Sequence, residues 1–473
     1  MHVVRVIIGI LAAAVIGGCA GRPVNERITQ VDPQSGYRPY LLIPKRKNND
    51  QSTLFVTSFS GGGTRAAALS YGVLEELRRT AIHVGGERRR LLDEVDLMIG
   101  VSGGSFTALS YALYGERLFD EYEQRFLKRD VQGELLSRAL NPFNWWKFVG
   151  GTAGRSELAA ELYDEILFEN ATFGDLLKKD GPVAIATGTD ISTGYRVAFF
   201  QNDFDLLCSD LNSVRLSRAA ATSSAVPVVL SALTFDNYGG SCGYRYPAWF
   251  EAVTRAEGRA RPTARAFQRY LAMESFQNSK DRPYIHLVDG GVADNIGVRG
   301  VIETLEELGA SARFRGEVGF GVVKRIVLLV VNSHASPSTD WDREEDPPGM
   351  IGQLLQASGV PIDRYSFETV ESLKDRAEIH KWRRELLVAR ARLAGKSEAE
   401  ADASVPKVDI QVVDIAFDAI RDAKEREYFM NLPTSFVLAP EQVDRLREIA
   451  GRLLRASPDY QVLVREMGGT PGN

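Results

Sequence analysis

Twice before residue 115 the chain runs the same course: an apolar stretch, a glycine-rich turn, then an apolar, alanine-containing helical pattern. The first is STLFVTSFS followed by GGGT and RAAALSYGVLEELRRT; the second is DLMIGVSGG followed by SFTALSYALYG. Each reads as a strand that turns directly into a helix. Further runs, PVAIATGTD, YIHLVDGG and RIVLLVVNS, read as buried strands separated by helical segments. Strands alternating with helices build an α/β sandwich around a largely parallel sheet.

The glycines need a purpose. Bare backbone at a strand-to-helix turn can cradle a phosphate, hold a developing oxyanion, or let a strand pack close against a helix. A nucleotide loop needs a Lys-Ser/Thr ending, and Arg65 and Ala66 stand there instead. The second turn, Gly100 to Gly104 (GVSGG), fits the GxSxG elbow, which pushes the hydroxyl of Ser102 out above the sheet. Gly239 to Gly243 also fits the motif, but Ser241 lies among Asn237, Tyr238, Tyr244 and Pro247 with no strand before it, and reads as loop.

A serine nucleophile needs a base, and only five histidines are present. His2 belongs to the leader, His83 to a loop and His380 to a charged helix, and His286 has an odd offset from Asp289 that points the two to opposite faces. His334, after the strand RIVLLVV, would complete a Ser102, Asp289, His334 order of the α/β-hydrolase kind. The other candidate is Asp289 itself, in VDGGVADN, with Gly290 and Gly291 allowing close backbone approach. A carboxylate with the ordinary pKa near ~3.9 is a poor base for a hydroxyl, so this choice requires burial and a close Ser-Asp contact.

Taken together these blocks resemble the patatin-like phospholipases. SGGGTR (Ser60 to Arg65) is similar to the family's glycine-rich oxyanion block, GVSGG to its elbow, TSSAVPVV (Thr222 to Val229, through Ser223, Ala225 and Pro227) to its Ser-x-Ala-x-Pro block, and VDGG to its aspartate block. ATGTDISTGYRVAFF (Ala186 to Phe200) resembles the strand and turn before the third block, and the resemblance covers roughly residues 52 to 335. It implies a three-layer α/β fold and a lipid acyl hydrolase using a Ser102–Asp289 dyad through an acyl-enzyme, without cofactor. It also implies an oxyanion hole from Gly61, Gly62, Gly63 and Gly103, with Arg65, Gly100, Gly104, Gly290 and Gly291 in support. Ala66 departs from the family, which usually has glycine there. A non-catalytic surface lipoprotein that keeps the fold for binding is a third reading.

The leader bears on location. Residues 1–18 carry Arg5 and an apolar run too short to span a bilayer, and IGGC resembles the lipobox of bacterial lipoproteins, with Cys19 as the lipidated residue. The alternative is a plain secretory signal. With lipidation, the chain is expected on a membrane surface of the bacterial envelope, and Ala20 favours the outer membrane. Residues 19–51 read as a tether, 52–340 as the catalytic domain, and 341–473 as a mostly helical region packed on it. Cys208 and Cys242 could pair in an exported protein or stay as buried thiols.

A net charge of −5 gives no reason to expect nucleic acid, and no His/Cys/Asp cluster has metal-ligand spacing. NPFNWWKFVGG (Asn141 to Gly151) concentrates Phe143, Trp145, Trp146 and Phe148, which suits either a core or a bilayer interface. Ile379, Trp382, Leu386, Ala389 and Leu393 recur at alternating three- and four-residue steps. That stripe could meet a partner or form a coiled coil; it is short for one, and a core-facing helix is the expectation.

Overall fold

The computed structural model describes residues 23–144, 154–227, 229–247, 264–310, 322–336, 340–405 and 407–471. The leader with Cys19, and Trp145, Trp146 and Phe148, lie outside the described residues, while Phe143 is exposed.

The strands are β1 (Thr53–Phe59), β2 (Ala81–Val84), β3 (Glu87–Arg90), β4 (Val95–Gly100), β5 (Val183–Asp190), β6 (Arg196–Ala198), β7 (Leu233–Asp236), β8 (Tyr284–Asp289), β9 (Arg325–Asn332) and β10 (Asp409–Ala416). β2 and β3 form a separate hairpin. The central sheet runs β10-β9-β1-β4-β5-β8-β7, with β6 beside β5. From β10 through β5 all neighbours are parallel, and β8, β7 and β6 join antiparallel. The fold is therefore mixed α/β with a mostly parallel central sheet and helices on its faces.

Period-two alternation explains why helices cover both faces. In β9, Val327, Leu329 and Val331 enter the larger core, while Ile326, Leu328 and Val330 enter a second cluster on the other face with Val56, Ile99, Val370 and Leu373. A strand apolar on both sides has to be covered on both sides.

Five helices matter below: α1 (Gly63–Arg79), α2 (Gly103–Tyr114), α3 (Leu216–Ser223), α4 (Met350–Leu393) and α5 (Pro440–Ala456). α5 turns Val443, Leu446, Ala450 and Leu454 inward and packs on α1. The crossing is close enough that a Cβ on Gly72 would lie 2.5 Å from the Arg447 carbonyl oxygen. Arg447 to Glu75 and Arg455 to Glu76 tie the same two helices together. The chain after residue 341 thus contributes an edge strand to the main sheet as well as helices. Cys208 and Cys242, left open by the sequence, are joined as a disulfide.

One expectation is overturned. Ile379, Trp382, Leu386 and Leu393 do not face the core; they are 57%, 61%, 69% and 90% exposed, and Ala389 is exposed with them. α4 makes its buried apolar contact earlier, through Val370 and Leu373. In the outer half, the inward face is held by His380 to the Val408 carbonyl and Arg384 to Asp402. Periodicity reveals that a helix has an apolar face, not what that face meets.

Candidate active site

β1 and β4 are parallel neighbours with Phe59 opposite Gly100, so both glycine turns emerge at one edge of the sheet. β5 pairs with β4 as far as Ala186 opposite Gly100 and then continues past it. The antiparallel β8 comes down along that extension and ends with Asp289 opposite Gly188. The antiparallel strand therefore delivers its last residue to the level of the serine turn.

Ser102 sits between β4 and α2 with φ 48° and ψ −121°, a region that a non-glycine residue occupies only under constraint. Its amide donates to Ser223 Oγ at 2.9 Å, and the amide of Val101 donates to the Phe59 carbonyl at 3.0 Å. The flanking glycines are sterically required. A Cβ on Gly100, Gly103 or Gly104 would lie 2.4 Å from Ser105 Cα, 2.0 Å from the Gly63 carbonyl oxygen and 2.5 Å from the Phe59 carbonyl oxygen, respectively.

The Ser102 hydroxyl lies near the Asp289 carboxyl, whose Oδ1 accepts from the Gly291 amide at 2.7 Å. Both residues are nearly closed off, Ser102 at 5% and Asp289 at 6% exposure. Burial pushes the Asp289 carboxyl up to about 7, and the Gly291 hydrogen bond and the nearby Ser102 hydroxyl only partly offset it. The backbone is pinned by the Asp289 amide to the Ala225 carbonyl and the Gly290 amide to the Ser223 carbonyl, both from the segment that ends α3. Gly290 abuts the Thr187 carbonyl, where a Cβ would lie at 2.4 Å.

Across from Ser102, Gly62 and Gly63 take φ values of +142° and +59° at the start of α1. The amides of Gly62, Gly63 and Gly103 donate to no described residue, and they lie at the amino ends of α1 and α2, where the helix dipole favours negative charge. Gly61 differs from the expectation: its amide already donates to the Asn295 carbonyl at 3.0 Å, so it has no donor left for an oxyanion. Ala66 stands in the first turn of α1 with its amide bonded to the Gly62 carbonyl at 3.4 Å, so the turn forms with alanine there.

Arg65 is buried, and burial lowers its pKa to about 10, which leaves it charged at neutral pH. It donates to the Ser333 carbonyl at 2.9 Å, the Leu432 carbonyl at 2.6 Å and Thr434 Oγ1 at 3.0 Å. The Thr64 amide donates to the Ser435 carbonyl at 2.8 Å. The carboxy-terminal region thereby reaches the glycine turn directly.

The triad with His334 is not assembled. His334 Nδ1 is 3.1 Å from Asp363 Oδ1, which raises the pKa of the ring, and neither ring nitrogen bonds Ser102 or Asp289. His83, His286 and His380 bond the Gly468 carbonyl, Thr234 and the Val408 carbonyl. Ser241 hydrogen-bonds the Tyr238 carbonyl on an exposed turn.

Sequence reasoning missed Asn295, Ser333 and the 432–435 segment. Without a Cβ, Gly61 leaves room for Asn295 Oδ1, which would otherwise be 2.3 Å from it, with Ser102 Cβ at 3.2 Å. Ser333 Oγ donates to the Gly61 carbonyl at 2.8 Å. An asparagine after a Gly-Gly turn and a serine after a strand are ordinary loop composition, so neither carried a signal.

The molecule is an α/β protein that holds a strained serine at a strand-to-helix elbow near a buried aspartate. The model of the family described as "Patatin-like phospholipase" matches residues 57–302, and the chain belongs to that family. No curated protein matches it. Among solved structures it is similar to human GIVD cytosolic phospholipase A2, at 13% identity with 65% of this chain and 52% of that chain covered and a TM-score of 0.30. The same human enzyme in complex with methyl gamma-linolenyl fluorophosphonate gives 11% identity, 93% and 64% coverage and a TM-score of 0.41. VipD from Legionella pneumophila gives 10% identity, 91% and 71% coverage and a TM-score of 0.25. The chain spans between about half and two-thirds of the length of the human structures.

Proposed function

We propose that the chain is a serine lipid acyl hydrolase in which Ser102 is the nucleophile and Asp289 the base. The observation that carries this is the strained Ser102 elbow set beside a carboxyl that burial has made basic enough to take a proton near neutral pH. As Ser102 Oγ attacks the ester carbonyl, its proton passes to Asp289 and the tetrahedral oxyanion meets the amides of Gly62, Gly63 and Gly103. Collapse expels the alcohol, which takes the proton back, and water then hydrolyses the acyl-enzyme by the same steps. A lipid anchor at Cys19 in the bacterial envelope is part of the proposal, and would hold the enzyme at a membrane that supplies its substrate.

A fluorophosphonate probe should label the folded protein once, at Ser102, and labelling should vanish in Ser102→Ala. An intact protein that fails to label would sink the enzymatic reading. Comparing rates on phospholipid vesicles and on soluble short-chain esters then assigns the substrate class.

The pH profile follows from the same carboxyl. The reactive form is the carboxylate, so kcat/KM should rise about tenfold per unit from pH 5 and level off above about pH 7. A profile already flat at pH 5 would mean that the base titrates as an ordinary carboxylate.

A further inference from the structure

The outward stripe of α4 is built as a seam. Ile379, Leu386 and Leu393 are seven residues apart, and Trp382 and Ala389 fall three residues after the first two, which are the a and d positions of a heptad repeat. The last g residue, Arg392, is tied to Glu398 of its own chain; along the rest of the seam the flanks have opposite signs, with Arg383 and Arg390 at the e positions and Glu378 and Glu385 at the g positions. None of these four charges makes an ion pair or side-chain hydrogen bond with a described residue, although Arg384 and Arg392 on the same helix are bonded to Asp402 and Glu398.

We propose that this stripe is a self-association surface, on which two copies of the chain join α4 to α4 as a short parallel two-stranded coiled coil. In parallel register a g residue faces the e residue five positions on in the other helix, so Glu378 meets Arg383 and Glu385 meets Arg390, each pair occurring twice. An antiparallel pairing sets like charges against each other. The face that holds α4 to its own body, through Val370, Leu373, His380 and Arg384, lies away from the stripe, so the two bodies sit outside the seam.

The seam is only about two heptads, or ~21 Å, because the preceding a and d positions are Ser372 and Asp375 and the helix ends at Leu393. An isolated peptide of that length would not pair. Here the helix is already formed, anchored on the body through Val370 and Leu373, so association does not include the cost of helix nucleation. An anionic bilayer would satisfy only Arg383 and Arg390 and leave Glu378 and Glu385 facing like charge, whereas a second helix pairs all four.

The test is sedimentation equilibrium of the full chain in a mild non-ionic detergent. The mass should move from one to two copies with concentration. Arg383→Glu with Arg390→Glu should weaken the dimer at least tenfold, and adding Glu378→Lys with Glu385→Lys to that variant should restore it. Ala389→Cys should form a disulfide-linked dimer under mild oxidation, as parallel d positions require. Ester hydrolysis unchanged in these variants verifies folding. A wild type that stays monomeric at 100 μM, a charge exchange that does not restore pairing, or a stripe needed only for binding phosphatidylglycerol vesicles would each overturn the proposal.

Discussion

Asp289→Asn is expected to lower kcat/KM by about 10³-fold or more, whereas His334→Ala should stay within about threefold of the wild type. Asparagine still accepts a hydrogen bond from the Gly291 amide but cannot take the Ser102 proton, so the elbow keeps its shape and loses its base. His334 is bonded to Asp363 and touches neither reacting group. A protein inactivated by His334→Ala and only mildly affected by Asp289→Asn would reverse the assignment. Stability separates lost chemistry from lost fold. The native carboxyl titrates near 7 and the ordinary one near 3.8, so the native state holds this proton more tightly than the unfolded chain. Its stabilising contribution is full below about pH 4 and is lost as pH rises through 7, on the order of 4 kcal/mol in all. Asparagine never ionises. At pH 8, where the wild type has lost this contribution, the inactive variant should therefore melt higher than the wild type.

The legible parts of this molecule were those written in local chemistry. The strand, glycine turn and helix units around Gly62 and Ser102 announce themselves because a φ of +59° or a carbonyl 2.0 Å from a missing Cβ leaves glycine little competition. Asp289 could be singled out for the same reason, by its Gly-Gly turn. That it arrives on an antiparallel strand could not, since pairing direction depends on where β8 meets the overhang of β5. The amide of Gly61 looked equivalent to its neighbours and is not, because Asn295, far along the chain, happens to accept from it. The stripe on α4 reads as core because most apolar helix faces are, and nothing local distinguishes a face that meets a second helix. A supporting role for Arg65 is expected from the resemblance, but its partners Leu432 and Thr434 were hardest to foresee, because they lie in a segment with no motif of its own.

That brace supplies the second large effect. Arg65→Met should lower kcat on a soluble short-chain ester about 10²-fold and destabilise the fold by roughly 2–4 kcal/mol. The buried Ser333 and Leu432 carbonyls each lose a charged donor in a place closed to water, while the exposed Thr434 can turn to solvent, so part of the loss is the penalty for two buried acceptors left unpaired. The remainder is positional. With the 432–435 segment released, the Ser435 carbonyl no longer holds the Thr64 amide, and Gly63, which that carbonyl crowds so closely that a Cβ would lie 2.3 Å from it, gains room to move. An oxyanion donor displaced by an ångström loses most of its value in the transition state while substrate binding changes little. The fall should therefore appear in kcat more than in KM, and Arg65→Lys, which keeps the charge but not the three-way fork, should recover only part of it. A direct role for Arg65 at a phosphate head group predicts the opposite pattern, with phospholipid hydrolysis lost through KM and the soluble ester untouched. The guanidinium is buried with all three of its nitrogens engaged by protein acceptors, so equal loss on both substrates is the expected outcome.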